Sequence, residues 1–351
     1  MDIMQSQNSK IEYTTKIFDY QNLKEAADLL RAGELVAFPT ETVFGLGAIA
    51  NNEQAVTSVF KAKGRPSDNP LIVHVSQISQ VYQTVSEVNV LSKRLMEEFW
   101  PGPLTIIFPL KEDVYAPSVT PGKKTVAMRM PRQLETLLLI DMVGFPLVGP
   151  SANLSGKPSP TNPEHVLHDF NGKIAGVVKS REQSAEIGVE STVVLAEEEQ
   201  IVILRPGAVT RNMLEQIAPV IEMSASQQLA NQEVQSPGVK YLHYSPEQPV
   251  YLLPHNYSEQ DWLDEMNKHT VRIGLLADDS ILSVCQLNKN FYSSYSLGAK
   301  GDIASATRQL YAGLRFLEQA ECDIIFAQAF SDEDDSHAYM NRLTKASNYV
   351  L

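Results

Sequence analysis

Short apolar runs alternate with segments of helical periodicity over much of the chain. Residues 35–38 form an uninterrupted apolar run that stops at Pro39, as a short buried strand does. Residues 22–32 instead carry apolar side chains at three- and four-residue spacing, as one face of a helix does. The next pair is a predicted helix over 52–61 and a predicted strand over 71–75, and further strands are predicted at 105–109, 126–130, 146–148, 176–179, 191–195 and 201–205. This alternation predicts an α/β or α+β layer fold.

The pattern changes near residue 219. Residues 219–235 are rich in Ala, Ser, Gln and Asn with little patterning, and three prolines follow within 237–249, which predicts an extended linker. Beyond it, strands are predicted at 250–253, 271–276 and 324–327, and helices at 304–320 and 337–346. We therefore expect a first domain over 13–218, a linker over 219–248 and a smaller α/β domain over 249–351.

Composition and charge limit the kinds of partner that the protein is expected to bind. The 351 residues are 43% apolar and 20% charged, which is ordinary for a globular protein and supplies ample material for a core. The formal charge is −13, of which −6 falls in residues 249–351, so neither domain has the basic balance of a module that coats a phosphate backbone. Two cysteines, no long apolar run and no secretory signal in residues 1–10 together predict a cytoplasmic protein that does not enter a membrane.

The densest basic segment contains Lys61, Lys63 and Arg65, with Gly64 and Pro66 beside them. Three cations so close together repel one another unless they are solvated or paired. The segment is therefore either a surface turn in water or a clamp for a polyphosphate, in which Lys supplies point charge and Arg a forked donor.

Several polar residues lie in or beside predicted strands. Ser151 and Asn153 follow the run 146–148, where they either present donors to a ligand or form an ordinary turn. Arg129 lies between apolar residues and needs an anionic partner, which is either an internal carboxylate or a substrate carboxylate. His74 lies in an apolar strand, as core histidines often do, and the sequence has no HExxH, CxxC, GxxxxGK[ST] or GxSxG motif.

The motifs described above, together with several further short polar and proline- or glycine-containing motifs, follow one another in a specific order along the chain. The set consists of Pro39-Thr40-Glu41-Thr42-Val43-Phe44-Gly45-Leu46, Lys61-Ala62-Lys63-Gly64-Arg65-Pro66, Asn69-Pro70-Leu71, Trp100-Pro101-Gly102-Pro103-Leu104-Thr105, Arg129-Met130-Pro131, Ser151-Ala152-Asn153, Glu190-Ser191-Thr192, Arg205-Pro206-Gly207, residues 236–246, and Ala338-Tyr339-Met340-Asn341-Arg342-Leu343. Together they resemble the threonylcarbamoyl-AMP synthase family, in its long form with a C-terminal domain, over nearly all of the chain beyond residue 13.

The resemblance implies both a fold and a reaction. The first domain is expected to be a YrdC-type twisted sheet with a concave active-site face, and the second a Rossmann-like α/β layer. The implied enzyme is a nucleotidyltransferase that converts L-threonine, bicarbonate or CO2, and ATP into threonylcarbamoyl-AMP and pyrophosphate. Mg²⁺ is expected to accompany ATP, with no prosthetic group and no metal held by the protein. The product is expected to pass to a tRNA threonylcarbamoyl transferase complex, and direct binding of tRNA is expected to be weak or absent.

The resemblance also implies roles for individual residues. Lys63, Arg65, Ser151 and Asn153 are expected to be catalytic and to bind ATP. Further ATP contacts are expected from Lys61, Arg205, His243 and Tyr244. L-threonine is expected to contact Thr40, His74, Arg129 and Ser191, with Arg129 holding its carboxylate as a bidentate pair.

Two further expectations concern the linker and a competing class of function. Because a carbamate and a mixed anhydride hydrolyse readily, residues 236–246 are expected to close over the site as a lid, the alternative being a passive tether. The competing class is a double-stranded RNA-binding module of the same fold, which the acidity of both domains disfavours.

Overall fold

The computed structural model describes residues 14–181, 185–230 and 244–351. Its strands are β1 (Lys16–Phe18), β2 (Val36–Phe38), β3 (Gly45–Ile49), β4 (Ile72–His74), β5 (Leu104–Pro109), β6 (Thr125–Arg129), β7 (Leu147–Val148), β8 (Gly176–Val178), β9 (Thr192–Ala196), β10 (Ile201–Arg205), β11 (Val220–Glu222), β12 (Val250–Leu253), β13 (Ile273–Ala277), β14 (Phe291–Ser296), β15 (Ile324–Gln328) and β16 (Tyr349–Val350). Its helices are α1 (Leu23–Arg31), α2 (Glu53–Lys63), α3 (Ile78–Thr84), α4 (Val90–Phe99), α5 (Leu134–Val143), α6 (Pro163–Phe170), α7 (Arg211–Glu215), α8 (Ala225–Ala230), α9 (Glu259–Asn267), α10 (Asp279–Cys285), α11 (Ile303–Gln319) and α12 (His337–Ala346).

The strands form two sheets, which confirms the predicted α/β class. The larger sheet is mixed and has the order β1-β8-β2-β3-β7-β4-β6-β5-β9-β10-β11. The smaller sheet has the order β14-β13-β15-β12-β16, and all of its pairings are parallel. Helices cover both faces of each sheet, with α1 and α5 packed together on one face of the larger sheet and α11 and α12 packed together on one face of the smaller.

Local signals explain where helix α2 begins and ends. The side chain of Asn52 accepts a hydrogen bond from the backbone N–H of Ala55, which satisfies one of the unpaired donors at the helix start. Gly64 ends the helix in the left-handed conformation, with φ of +61°. Lys61 and Lys63 therefore lie in the last turn of the helix, and the helix extends two residues beyond the predicted end.

The structure differs from the predicted elements in two places near the site. Residues 45–49 form β3, although two glycines weaken the strand pattern there, because the segment pairs with β2 on one side and β7 on the other. The predicted linker begins with β11, which pairs in parallel with β10, and continues with α8. The first part of residues 219–248 is therefore regular structure rather than extended chain.

The two sheets share an apolar interface. Val43, Val189 and Tyr244 belong to the same buried cluster as Leu310 and Leu314 of α11. The C-terminal helices therefore pack directly against loops that belong to the larger sheet. Every helix within the described ranges falls short of the length and apolarity that spanning a bilayer takes.

Candidate active site

One cavity opens among the loops at the ends of the larger sheet's strands. Nine of the twelve predicted site residues line it: Thr40, Arg65, His74, Arg129, Ser151, Asn153, Ser191, Arg205 and Tyr244. Residues from across the first domain therefore converge on one concave surface.

The two lysines of helix α2 have different surroundings. The ammonium of Lys63 is buried behind the cavity wall and donates hydrogen bonds to the backbone carbonyls of Ser151 and Asn153. Burial and the nearby Arg65 hold the pKa of Lys63 well below its ordinary value. Lys61 instead lies outside this cavity, exposed at a separate groove that also contains Lys173. The structure thus does not bring Lys61 to the predicted ATP site, because the helix turns its side chain away.

The loop after β7 presents small polar side chains to the cavity. Asn153 is buried and donates from its amide nitrogen to the carbonyls of Leu154 and Lys157, at 2.8 Å each. Its amide oxygen has no hydrogen-bond partner among the described residues. Buried polar atoms are rarely left without a partner, so this oxygen indicates a place for a ligand or water.

Arg129 already has an internal anionic partner. Its guanidinium forms a 2.8 Å ion pair with Glu41 and donates to the Thr42 hydroxyl at 2.8 Å and the Gly102 carbonyl at 3.1 Å. Thr42 in turn lies 2.7 Å, oxygen to oxygen, from the hydroxyl of Thr40. The alternative of an internal carboxylate is therefore realised as an ion pair, while the terminal nitrogen that faces Glu41 makes no hydrogen bond among the described residues.

His74 lies at the end of β4, opposite Arg129 at the end of β6. Because paired residues of neighbouring strands point to the same face, both side chains face the cavity. Burial and the charge of Arg129 lower the pKa of His74 to about 3, so its imidazole is neutral. Nδ1 of His74 has no partner within the described ranges, and it lies where a Cβ on Gly149 would come within 2.7 Å. Glycine at position 149 is therefore required for the close approach of this ring.

Ser191 and Arg205 meet at the open end of the β9–β10 pair. The Arg205 guanidinium donates to the Ser191 carbonyl at 3.0 and 3.2 Å and to its hydroxyl at 3.2 Å. The Ser191 hydroxyl also lies 2.8 Å from the Thr105 hydroxyl. Arg205 is buried, so its charge acts at the cavity with little screening by water.

Glu190 also lines the cavity, although it was not among the predicted site residues. It accepts hydrogen bonds from Arg342 at 2.9 Å, Ser159 at 2.5 Å and Tyr311 at 3.0 Å. Burial acts to raise the pKa of Glu190, but Arg342 and Arg205 lower it to about 2. The sequence signal for Glu190 is its position directly before Ser191 in the segment Glu190-Ser191-Thr192.

Tyr244 is the described part of the predicted lid that reaches the cavity. It is buried, has a φ of +74°, and its ring lies 5.3 Å from that of Tyr311. His243 and residues 236–242 lie outside the described residues, so the predicted ATP contact of His243 and the lid stay predictions.

The charges suit a polyanionic ligand next to a small polar one. Arg65, Arg129 and Arg205 line the cavity, and the Glu190 carboxylate is already paired with Arg342. Within the described part of the chain, no three acidic, histidine or cysteine side chains are grouped as a metal site requires. The site can therefore bind phosphate and carboxylate groups through arginines, hydroxyls and amides.

Two family models together match nearly the whole chain. The first, Sua5_yciO_yrdC, is described as "Telomere recombination" and matches residues 28–207. The second is described as "Threonylcarbamoyl-AMP synthase, C-terminal domain" and matches residues 209–348.

Individual relatives are similar over most of their length. The threonylcarbamoyl-AMP synthase of Bacillus subtilis (strain 168) is 42% identical over 328 residues, which cover 93% of this chain and 92% of the relative. The threonylcarbamoyl-AMP synthase of Pyrococcus abyssi is 36% identical over 336 residues, covering 94% and 95%. The crystal structure of P. abyssi Sua5 complexed with L-threonine superimposes with a TM-score of 0.84 at 34% identity, covering 96% of this chain and 99% of that one.

Proposed function

The chain belongs to the threonylcarbamoyl-AMP synthase family, and from that premise we propose how its cavity carries out the reaction. The enzyme makes threonylcarbamoyl-AMP from L-threonine and ATP. The observation that supports a role for this cavity is the convergence of three arginines with hydroxyl and amide side chains on one surface. A triphosphate and an amino acid both carry anionic groups that such a surface binds.

We assign the phosphates of ATP to Arg65, Arg205, Ser151 and Asn153. Arg65 and Arg205 would neutralise the negative charge that develops on the leaving pyrophosphate, which is the main electrostatic requirement of adenylyl transfer. Lys63 would act indirectly, because its ammonium binds the carbonyls of Ser151 and Asn153 and so holds their loop.

We assign L-threonine to the side of the cavity that contains Thr40, His74, Arg129 and Ser191. The Glu41 ion pair orients Arg129, so its terminal N–H groups that make no hydrogen bond among the described residues would bind the amino-acid carboxylate. Neutral His74 would supply one hydrogen bond without adding charge beside Arg129.

The chemistry needs no covalent bond to the enzyme. The threonine amine attacks the carbon of CO2, or of bicarbonate with loss of water, so that a C–N bond forms and a proton leaves the nitrogen. A carbamate oxygen then attacks the α-phosphorus of ATP, a P–O bond forms, and the bond to the β-phosphate breaks to release pyrophosphate. The cavity contributes by positioning the two substrates and stabilising charge.

Mg²⁺ would enter with ATP. Because the described residues hold no grouped metal ligands, the phosphates themselves would bind the ion, and it would supply further charge neutralisation there.

Membership of the family supports a proposal for the downstream partner. Threonylcarbamoyl-AMP is a reactive mixed anhydride, and we propose that it passes to a tRNA threonylcarbamoyl transferase system. A formal charge of −13 favours weak or absent direct binding of tRNA and disfavours the double-stranded RNA-binding alternative. Two buried free thiols, Cys285 and Cys322, suit a reducing cytoplasm.

Pyrophosphate release with each substrate omitted in turn tests this function. We expect release only with ATP, L-threonine and bicarbonate together, and mass spectrometry should identify threonylcarbamoyl-AMP. Release that persists without L-threonine would contradict the assignment. A gel-shift assay with double-stranded RNA at low and high salt tests the alternative, which requires tight binding without pyrophosphate release.

A further inference from the structure

A buried arginine of the C-terminal domain reaches the open end of the β9–β10 pair. Arg342 of α12 is fully buried, and its Nε donates to the Glu190 carboxylate at 2.9 Å. One terminal nitrogen of the same guanidinium donates to the Pro206 carbonyl at 2.8 Å, and the other to the Glu190 carbonyl at 3.4 Å. A single side chain therefore contacts both chain segments at this end of the strand pair.

The two segments that Arg342 joins carry two of the cavity residues. Glu190 directly precedes Ser191, and Pro206 directly follows Arg205. The Arg205 guanidinium donates two hydrogen bonds to the Ser191 carbonyl, so the two segments also contact each other directly. They are so close that a Cβ on Gly207 would lie 2.3 Å from the backbone nitrogen of Thr192.

A second residue of the C-terminal domain completes the contacts of Glu190. The Tyr311 hydroxyl, on α11, lies 3.0 and 3.3 Å from the two carboxylate oxygens, and Ser159 of the first domain binds one of them. The Tyr311 ring also packs against Tyr244 at the cavity. Glu190 is thus held from both domains at once.

We propose that Arg342 and Tyr311 are positioning residues for the reaction, which set the placement of Ser191 and Arg205 through Glu190 and the Pro206 carbonyl. The proposal rests on the function proposed above. It gives the C-terminal domain a direct part in forming the substrate site. The charge of Arg342 supports this reading, since a buried ion pair is a weak source of stability compared with apolar packing. A guanidinium at this place does what an apolar side chain cannot, because it binds a carboxylate and two carbonyls in a fixed geometry.

The test compares Arg342→Gln and Arg342→Lys with the wild-type full chain in the pyrophosphate-release assay. We expect Arg342→Gln to lower kcat/KM for L-threonine and ATP about 100-fold, with raised KM and reduced kcat, since small misplacements of reacting groups have effects of this size. Arg342→Lys keeps the charge but not the forked geometry and should recover only part of the loss. Thermal unfolding of each variant reports whether it is folded.

Tyr311→Phe provides a second test of the proposal, which can be used if Arg342→Gln does not fold. It removes one hydrogen bond to Glu190 and keeps the buried ring, so kcat/KM should fall about 2- to 10-fold with little change in Tm. Glu318→Gln is the matched control: Glu318, also on α11, pairs with Lys157 across the same interface at 2.6 Å but does not touch Glu190. Its KM and kcat should match those of the wild type.

The outcomes are distinguishable. Wild-type protein without threonine-dependent release would overturn the proposed function itself. With active wild type, the positioning role is overturned if Arg342→Gln lowers only the Tm and leaves KM and kcat of the folded enzyme unchanged. If Arg342→Gln does not fold, unchanged kinetics of Tyr311→Phe overturn it.

Discussion

At the scale of single residues, environment separates side chains of the same type. Lys61 and Lys63 lie in one helical turn, yet one is exposed at a separate groove and the other donates to two buried carbonyls. The amino group of Lys63 therefore serves the geometry of the Ser151–Asn153 loop. His74 shows the same effect, because burial keeps neutral a group that is half-protonated near pH 6.5 in water.

The different surroundings of Lys61 and Lys63 predict that their substitution by alanine affects activity differently. Lys63→Ala leaves the carbonyls of Ser151 and Asn153 without their donor, so the loop shifts and kcat/KM for ATP should fall about 10- to 100-fold. Lys61→Ala is the matched control and should stay within about twofold, since the small loss of general charge is screened. Steady-state pyrophosphate release measures both. Equal losses in the two variants would show that Lys61 reaches the substrate after all.

The neutrality of His74 predicts how threonine binding depends on pH. With a pKa of about 3, His74 does not ionise between pH 5 and 8, so calorimetric Kd values for L-threonine should be flat across that range. His74→Gln serves as the comparison. A change in affinity centred near pH 6.5 that disappears in His74→Gln would contradict a neutral imidazole.

At the scale of elements, helix α11 holds the loops of the first domain from outside. Arg315 of this helix is buried and donates to Asp169 at 2.8 and 3.1 Å and to the Pro158 carbonyl at 2.6 and 3.0 Å. Asp169 in turn accepts from the backbone N–H of Leu154 at 3.1 Å, next to Asn153. One helix therefore supports the loop that follows β7.

Removing this contact should lower stability strongly. Arg315→Ala leaves the Asp169 carboxylate buried without its partner, which costs about 3–5 kcal/mol of unfolding free energy. Arg272→Ala removes a pair of similar length, 2.9 Å, that is nearly half exposed, and should change the unfolding free energy far less. Urea unfolding of both variants measures the difference, and similar losses would argue against a special role for the buried pair.

At the scale of the whole molecule, charged contacts link the two sheets at a second place. His337, at the start of α12, lies 3.1 Å from Glu222 of β11 and 2.8 Å from Asp332. Asp334 accepts hydrogen bonds from the backbone N–H groups of Arg211 and Asn212 at the start of α7. The segment before α12 thus joins the C-terminal domain to the edge of the larger sheet.

This link predicts a loss of stability in alkali. Hydrogen bonding to Glu222 and Asp332 raises the pKa of His337 from 6.5 to about 9, although burial opposes the shift. Because the folded state holds this proton more tightly, the contribution is fully present below pH 6.5 and is lost as pH rises through 9. Urea unfolding from pH 6 to 10 should show a decline for the wild type that His337→Gln lacks. Parallel curves for the two proteins would refute the link.

Elements whose pattern is local could be predicted from the amino-acid sequence alone. Helix α12 lies where it was predicted, because its one buried face imposes a repeat along the chain, and strand β10 lies at an unbroken apolar run whose residues are all buried. The sequence also shows which functional groups are available for a site, since Arg, Ser, Thr and Asn side chains at turns are hydrogen-bond donors in any arrangement. Helix α5 escaped prediction because apolar residues lie all around it: Leu139 and Ile140 are buried together with Glu135, while Leu134 and Met142 are exposed.

Which of these groups share a site, and which partner each one has, depends on how distant segments pack together. Glu190 and Arg342 are 152 positions apart, and their ion pair depends on how two domains pack. Glu41 reaches Arg129 and Lys63 reaches the Ser151 carbonyl across 88 positions in each case. Local periodicity holds no information on such distant pairs, because they follow from the path of the chain between sheets rather than from neighbouring residues.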